Sequence, residues 1–282
     1  MTILVIGASG NVGRAVLAQL TAAGEAVRAA SRNPGVHTFP PSVQTVTADL
    51  DQPGSLPAAL EGIDKVFLYA RHAGMDAFLT AAKAAGVQKL VLLSSAAVDA
   101  SDHADDPIAT MHGAVERTIA SSGLEWAAIR PTAFATNALW WAHGIRAEDV
   151  VRVAYPEAQA APIHEADIAA VAVAALTRAD ITGPTGELTG PQSLTQREQV
   201  AAIAAATGRP VRLEELTPEQ AHEHLRRVMP PQIADLMMRY WIESIGKSAR
   251  VTPEVERITG QPARSFAQWA RDHASDFGGV AA

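Results

Sequence analysis

The sequence contains no cysteine, which excludes disulfides, thiolate metal sites and a cysteine nucleophile. Long apolar runs are also missing. The longest, "IAAVAVAAL" at 168–176, falls far short of the roughly 20 residues that span a bilayer. No basic leader precedes the opening "MTILVIGASG", whose apolar run is short and ends in glycines, so no signal peptide is read there. A soluble cytoplasmic protein is expected, with no membrane partner. Excess positive charge is absent: the net charge is −7, which argues against a polyanion binder and so against nucleic acid as a partner. No G-x-S-x-G stretch marks a hydrolase, and no Walker lysine follows the one glycine-rich turn near the N-terminus. "HEHL" at 222–225 places two histidines at i and i+2, pointing apart, and "IHEAD" has no second histidine at metal spacing. No catalytic metal is expected.

What is present is a globular balance, 48% hydrophobic and 19% charged over 282 residues, near the size at which single cores begin to split. Apolar runs bounded by turn residues read as strands at "TILVI" (2–6), "AVRAAS" (26–31), "SVQTVTAD" (42–49), "KVFLYA" (65–70), "KLVLLSSAA" (89–97) and "EWAAIRP" (125–131). Helical periodicity fills most of the gaps, including a helix around 107–121. This alternation predicts a parallel sheet covered on both faces. The pattern then loosens. "TAFATNALWWAHGI" and "PIHEADIAAVAVAAL" read as helices, and after "ITGPTG" (181–186) come a short strand and helices rich in charge and proline. The expected division is a domain over 1–182 and a smaller, mostly helical region over 183–282 that packs on it and shapes the substrate site.

"GASGNVGR" (7–14) stands between the first strand and the first helix. In that context Gly7 permits the sharp turn, Gly10 lets backbone approach a pyrophosphate, and Gly13 lets helix pack on strand. Ser9, Asn11 and Val12 complete the loop, and the helix N-terminus offers N–H groups to phosphate. The fold expected is α/β, a doubly wound Rossmann sheet. An NAD site usually ends its second strand with Asp or Glu. Here that place reads Ala30-Ser31-Arg32-Asn33. Ser31 and Arg32 would hold a 2′-phosphate, so NADP(H) is the expected cofactor; the other reading of Arg32 is a solvated loop arginine.

The G-x-x-G-x-x-G spacing resembles short-chain dehydrogenase/reductases of the extended and atypical kinds. With "SRNP", "AAKAAGVQKLVLLSSAA", "SGLEWAAIRPTAF" and "IHEADIA" in order, residues 1 to about 210 resemble the NmrA-like branch. That branch includes NAD(P)H-dependent quinone reductases and redox-sensing regulators. The resemblance implies that Asp49 and Leu50 contact the adenine ring. Ala70 and Arg71, after the fourth strand, are expected near the middle of the cofactor. The sequence also departs from the superfamily, whose catalytic tyrosine is followed four residues later by a lysine. Alignment puts Ile108 at the tyrosine position and His112 at the lysine position. The missing tyrosine weighs against the usual carbonyl reduction and against sugar-nucleotide chemistry.

His112 lies one helical turn before Glu116, so a hydrogen bond between them is expected, favouring imidazolium and fixing the ring. The lysine slot points to a role beside the nicotinamide; the plain alternative is packing. Ser94 and Ser95 end the fifth strand, where a hydroxyl either meets substrate or satisfies local backbone. Catalytic candidates are therefore His112, Ser94 and Glu116. Phe134 and Asn137, covered by the resemblance, join Ser95, Trp140, Trp141, His143, Tyr155 and His164 as candidate substrate residues. Adjacent tryptophans cannot share one side of a helix, so one of Trp140 and Trp141 is expected in the core. Trp241 and Met229 read first as core. The expected function is an NADPH-dependent oxidoreductase passing hydride to a small electrophile (a quinone, enone or activated carbonyl), with tailoring of an aromatic secondary metabolite as a special case. The alternative is a non-catalytic NADP(H)-sensing regulator.

Overall fold

The computed structural model describes residues 1–36, 39–99 and 106–279. Its strands are β1 Thr2–Ile6, β2 Ala26–Ser31, β3 Gln44–Thr47, β4 Lys65–Tyr69, β5 Lys89–Leu93, β6 Glu125–Pro131, β7 Val150–Val153, β8 Gln159–Ala160, β9 Gly183–Leu188, β10 Leu194–Thr195 and β11 Arg212–Glu215. Its α-helices are α1 Asn11–Ala22, α2 Leu56–Leu60, α3 Met75–Ala84, α4 Pro107–Ala120, α5 Ala142–Glu148, α6 Glu165–Thr177, α7 Gln196–Thr207, α8 Pro218–Val228, α9 Pro231–Glu243, α10 Glu254–Thr259 and α11 Phe266–Asp272. Among the described residues no helix is long and apolar enough to cross a membrane.

Two compact units divide the chain, each built from three stretches. The first takes Met1–Pro131, Glu165–Leu188 and Glu254–Gln261; the second takes Thr132–His164, Thr189–Pro253 and Pro262–Ala282. A single cut at 182/183 does not separate them.

The first unit is a seven-stranded parallel sheet in the order β3-β2-β1-β4-β5-β6-β9. The order reverses at β1, which pairs with β2 on one side and β4 on the other, and such a reversal opens a crevice at the carboxyl ends of the strands. Residues of β1, β4 and β5 are buried on both faces, as their continuous apolar runs require. Leu4, Leu68 and Leu92 pack with Leu60 of α2, Phe78 of α3 and Ile119 of α4, while α1 and α6 cover the opposite face. β9, placed by sequence in the second region, instead extends this sheet, with Ala127 opposite Gly183 and Pro131 opposite Leu188. Its "GPTGEL" has little strand character of its own; the edge of β6 supplies its partner.

In the second unit, β7 pairs with β11 in parallel and β8 with β10 antiparallel. Ile145, Val153, Ile203 and Phe266 gather around the fully buried Trp269, whose ring stacks on Phe266 at 5.0 Å and on His273 at 4.6 Å. A smaller cluster joins Ala221 and Leu225 of α8 to Ala234 and Met238 of α9. The stretch expected to be helical from Thr132 is a 3-10 segment over Ala135–Trp141 that runs into α5.

Candidate functional site

The glycine turn has the shape a pyrophosphate needs. Gly7 has φ +75°, and a Cβ there would meet the Tyr69 ring at 3.0 Å. A Cβ on Gly13 would lie 2.1 Å from the Gly7 carbonyl oxygen, so only glycine lets α1 pack this close to β1. The Gly10 N–H donates to that same carbonyl at 2.9 Å. Gly10 is also the N-cap of α1, with no side-chain cap and no acidic residue in the first turn. The first N–H groups of α1 are thus left for an anion.

At the end of β2 no carboxylate stands. Ser31 is buried, and its Oγ accepts from the Asn33 N–H at 3.3 Å. Arg32 is exposed and forms no ion pair among the described residues. Asp49 turns onto its own loop, its Oδ1 accepting from the Asp51 N–H at 3.1 Å. The Leu50 side chain is buried in the core cluster, so any adenine contact from this position would be made by backbone. Arg71 is held by both oxygens of Asp51, and that pairing raises its pKa. The Ala70 N–H donates to the Leu93 carbonyl at 3.2 Å.

A buried polar cluster ties β5, α4 and β6 together. Asp106 caps α4, accepting from the Ile108 N–H at 2.7 Å and the Ala109 N–H at 3.1 Å. Nearly three turns further on, Glu116 accepts from Ser94 Oγ at 2.5 Å and from Arg130 Nε at 3.0 Å and Nη2 at 2.6 Å. Arg130 Nη1 also reaches Asp99 at 2.6 Å. The expected His112–Glu116 hydrogen bond is therefore not formed. The spacing allows it, but a buried guanidinium cannot be left unpaired, and Arg130 claims the carboxylate. His112 is half-buried, and its Nδ1 is buried with no hydrogen-bond partner. Burial lowers its pKa, outweighing the upward pull of Glu116 and Asp106, so the neutral ring is favoured rather than imidazolium. Ser94 is 2% exposed with its hydroxyl given to Glu116. Ser95 Oγ accepts from the Ala97 N–H at 3.2 Å, closing the turn after β5.

Within the second unit lies a cavity of about 390 Å³. Phe134, Asn137, Trp140, Trp141 and His143 all line it. Both tryptophans do so because the cavity wraps more than one face of their segment; Trp141 also packs on the core cluster, while Trp140 is 55% exposed. Tyr155 and His164 do not line it. Tyr155 borders a separate open groove and packs beside the α8–α9 cluster. His164 is 5% exposed, with Nε2 3.2 Å from Asp272. Trp241, read first as core, both packs on the α8–α9 cluster and lines the cavity, as does Met237, which sequence reasoning missed; their i, i+4 spacing on α9 was the available signal. Met229 does pack in the α8–α9 cluster. The rest of the lining is chiefly aliphatic, with carboxamides from Gln159, Gln196 and Gln199. Arg152, on the rim, is bonded to Glu148 at 2.6 Å and Glu214 at 3.0 Å. Among the described residues no group of three or more histidines and acids could hold a metal ion.

Comparison with known proteins agrees with the glycine cradle. Residues 7–179 match the family model described as NAD(P)H-binding. The chain is 39% identical over 280 residues to a (4-alkanoyl-5-oxo-2,5-dihydrofuran-3-yl)methyl phosphate reductase from Streptomyces griseus subsp. griseus, covering 98% of this chain and 99% of the relative. It is 36% identical to an NAD(P)H azoreductase from Xenophilus azovorans, covering 98% and 99%. The fold matches that of an NADPH-dependent quinone oxidoreductase from Escherichia coli, solved with NADPH, at TM-score 0.76 and 23% identity over 96% of this chain and 99% of that one.

Proposed function

The chain belongs to the NAD(P)H-binding family and is one of its oxidoreductases, and from that premise we propose that it uses NADPH to reduce a small conjugated electrophile: a quinone, an enone or an activated carbonyl. The observation that carries the reading is the cavity of the second unit, walled by Phe134, Trp140, Trp141 and Trp241. Aromatic walls suit a flat, conjugated molecule and keep water from its faces. The oxo-dihydrofuran in one relative's name, which there carries a methyl phosphate, and the azo group in the other's are both conjugated acceptors.

Bound NADPH supplies a hydride. The residues of the first unit bind and orient it. The first-turn N–H groups of α1 hold the pyrophosphate, and Arg32, unpaired at the end of β2, holds the 2′-phosphate with Ser31 beside it. His112 offers its orphaned Nδ1 as an acceptor for a ribose hydroxyl, a positioning role in the slot that the superfamily pattern gives to lysine. Ser94, Glu116 and Arg130 hold α4 in place. No tyrosine acid stands in the helix, and a quinone or enone does not need one, because hydride adds to an already electron-poor carbon and water can supply the proton.

The test is NADPH oxidation against a panel of quinones, enones and aromatic ketones. Turnover of conjugated acceptors, with simple aliphatic ketones inert, is the expected result. Tight NADPH binding with no turnover of any acceptor would overturn it in favour of cofactor sensing.

A further inference from the structure

We infer that the cavity of the second unit admits uncharged acceptors and turns away phosphorylated or sulfonated ones, because the guanidinium on its rim is already neutralised. The inference rests on the reading of this cavity as the acceptor site, and it sets this chain apart from the Streptomyces griseus relative, whose name specifies a phosphate ester.

Arg152 of β7 is the one arginine among the described lining residues, and no lysine accompanies it. Its Nη2 donates to Glu148 at 2.6 Å and its Nε to Glu214 at 3.0 Å, so its guanidinium is paired with a carboxylate on two sides, although Glu214 also meets Arg212 at 3.7 Å. Glu148 also lines the cavity, and Arg152 holds it below the usual carboxylate range, so it remains charged. An arriving anion would have to displace a carboxylate or lie beside it.

Two α-helix starts beside the cavity are closed by side-chain caps. Gln196 lines the cavity as the first residue of α7, but that helix start is closed by a capping box between Thr195 and Glu198. The start of α8, beside the lining Leu216, is closed by a second box between Thr217 and Gln220. The contrast with the uncapped N-terminus of α1 is direct. What the wall still offers is apolar surface and carboxamides. Asn137, for one, makes no side-chain hydrogen bond among the described residues. Such neutral groups match carbonyl oxygens, while an unpaired anion in apolar surroundings is strongly disfavoured.

The experiment compares naphthoquinone with naphthoquinone sulfonate on the intact protein at about pH 8. Binding is read by quenching of the fluorescence of Trp140, Trp141 and Trp241, and turnover by NADPH oxidation. The sulfonate is expected to bind at least about ten-fold more weakly. The double variant Glu148→Gln/Glu214→Gln, which frees Arg152, should narrow that gap. If it fails to fold, Glu214→Gln alone, outside the lining, should narrow it in part. Equal or tighter binding of the sulfonate to the unmodified protein would overturn the inference. So would a gap that survives in the folded variants, or no binding of either compound. If the neutral quinone binds preferentially and neither is reduced, the charge selection holds and the proposed reductase chemistry fails.

Discussion

Glu116 of α4 grips Arg130 of β6 through two hydrogen bonds, Oε1 to Nε at 3.0 Å and Oε2 to Nη2 at 2.6 Å, with both side chains at or below 10% exposure. Removing Glu116 leaves the buried Arg130 with Asp99 as its remaining partner, at a cost near the lower end of the about 3–5 kcal/mol for breaking a buried pair. Glu116→Ala is therefore expected to lower the unfolding free energy by about that amount in urea titrations, and Glu116→Gln by less. Unchanged stability in both variants would show that water already solvates Arg130.

Ser94 gives its hydroxyl to the same carboxylate. A hydrogen bond to a charged group contributes about 1.5–3 kcal/mol. Ser94→Ala is expected to lose stability near the bottom of that range, because Arg130 remains bound to Glu116, and to keep turnover within a few-fold. A loss of about 10²-fold in kcat with stability intact would instead make Ser94 part of the chemistry.

Arg32→Ala should weaken NADPH binding by about 1.5–3 kcal/mol, or roughly 10- to 150-fold, and leave NADH binding nearly unchanged. Calorimetric titration of both cofactors against both proteins checks it. An equal loss for the two cofactors would place Arg32 on some part they share.

Gly13→Ala should damage the cradle itself, since the added methyl would lie 2.1 Å from the Gly7 carbonyl oxygen, a backbone atom with no rotamer to escape into. A destabilisation of about 1–3 kcal/mol and loss of cofactor binding are expected. Normal NADPH affinity in this variant would mean that α1 can shift away from β1.

His112 carries a sign that can be worked out. Burial depresses its folded-state pKa below the unfolded value of about 6.5. Below that pH the unfolded chain takes up a proton that the folded chain resists, so stability falls as pH drops from about 7 toward 5. His112→Asn should flatten that part of the profile of thermal midpoint against pH. An unchanged profile would show that the ring protonates freely in the fold.

The nucleotide-binding half was legible because its signals are local. Gly7, Gly10 and Gly13 announce the turn by their own conformational demands, and the period of β1, β4 and β5 announces the sheet. What escaped depends on partners distant in sequence. Glu116 looked like a partner for His112 because the two are four apart, whereas Arg130 arrives from another strand. The segment 183–188 reads as the start of the second region because its pairing belongs to β6, distant in sequence. Trp241 reads as core in the sequence, and Met237 draws no notice, because an apolar helix face reads the same whether it meets a neighbouring helix or a cavity.

The alternation of the two units along the chain bears on how such a protein changes over generations. Each unit is spliced from three stretches, with β9 and α10 returning to the first after the chain has already entered the second. A single crossover near residue 131 would carry the cavity of the second unit whole, but only together with β9 and α10, so the sheet of the first unit would then come from two parents. Substitution at positions such as Trp140, Arg152 and Trp241 reshapes the cavity without that mixing. The glycine cradle, complete within the first 14 residues, could in contrast pass whole from one lineage to another.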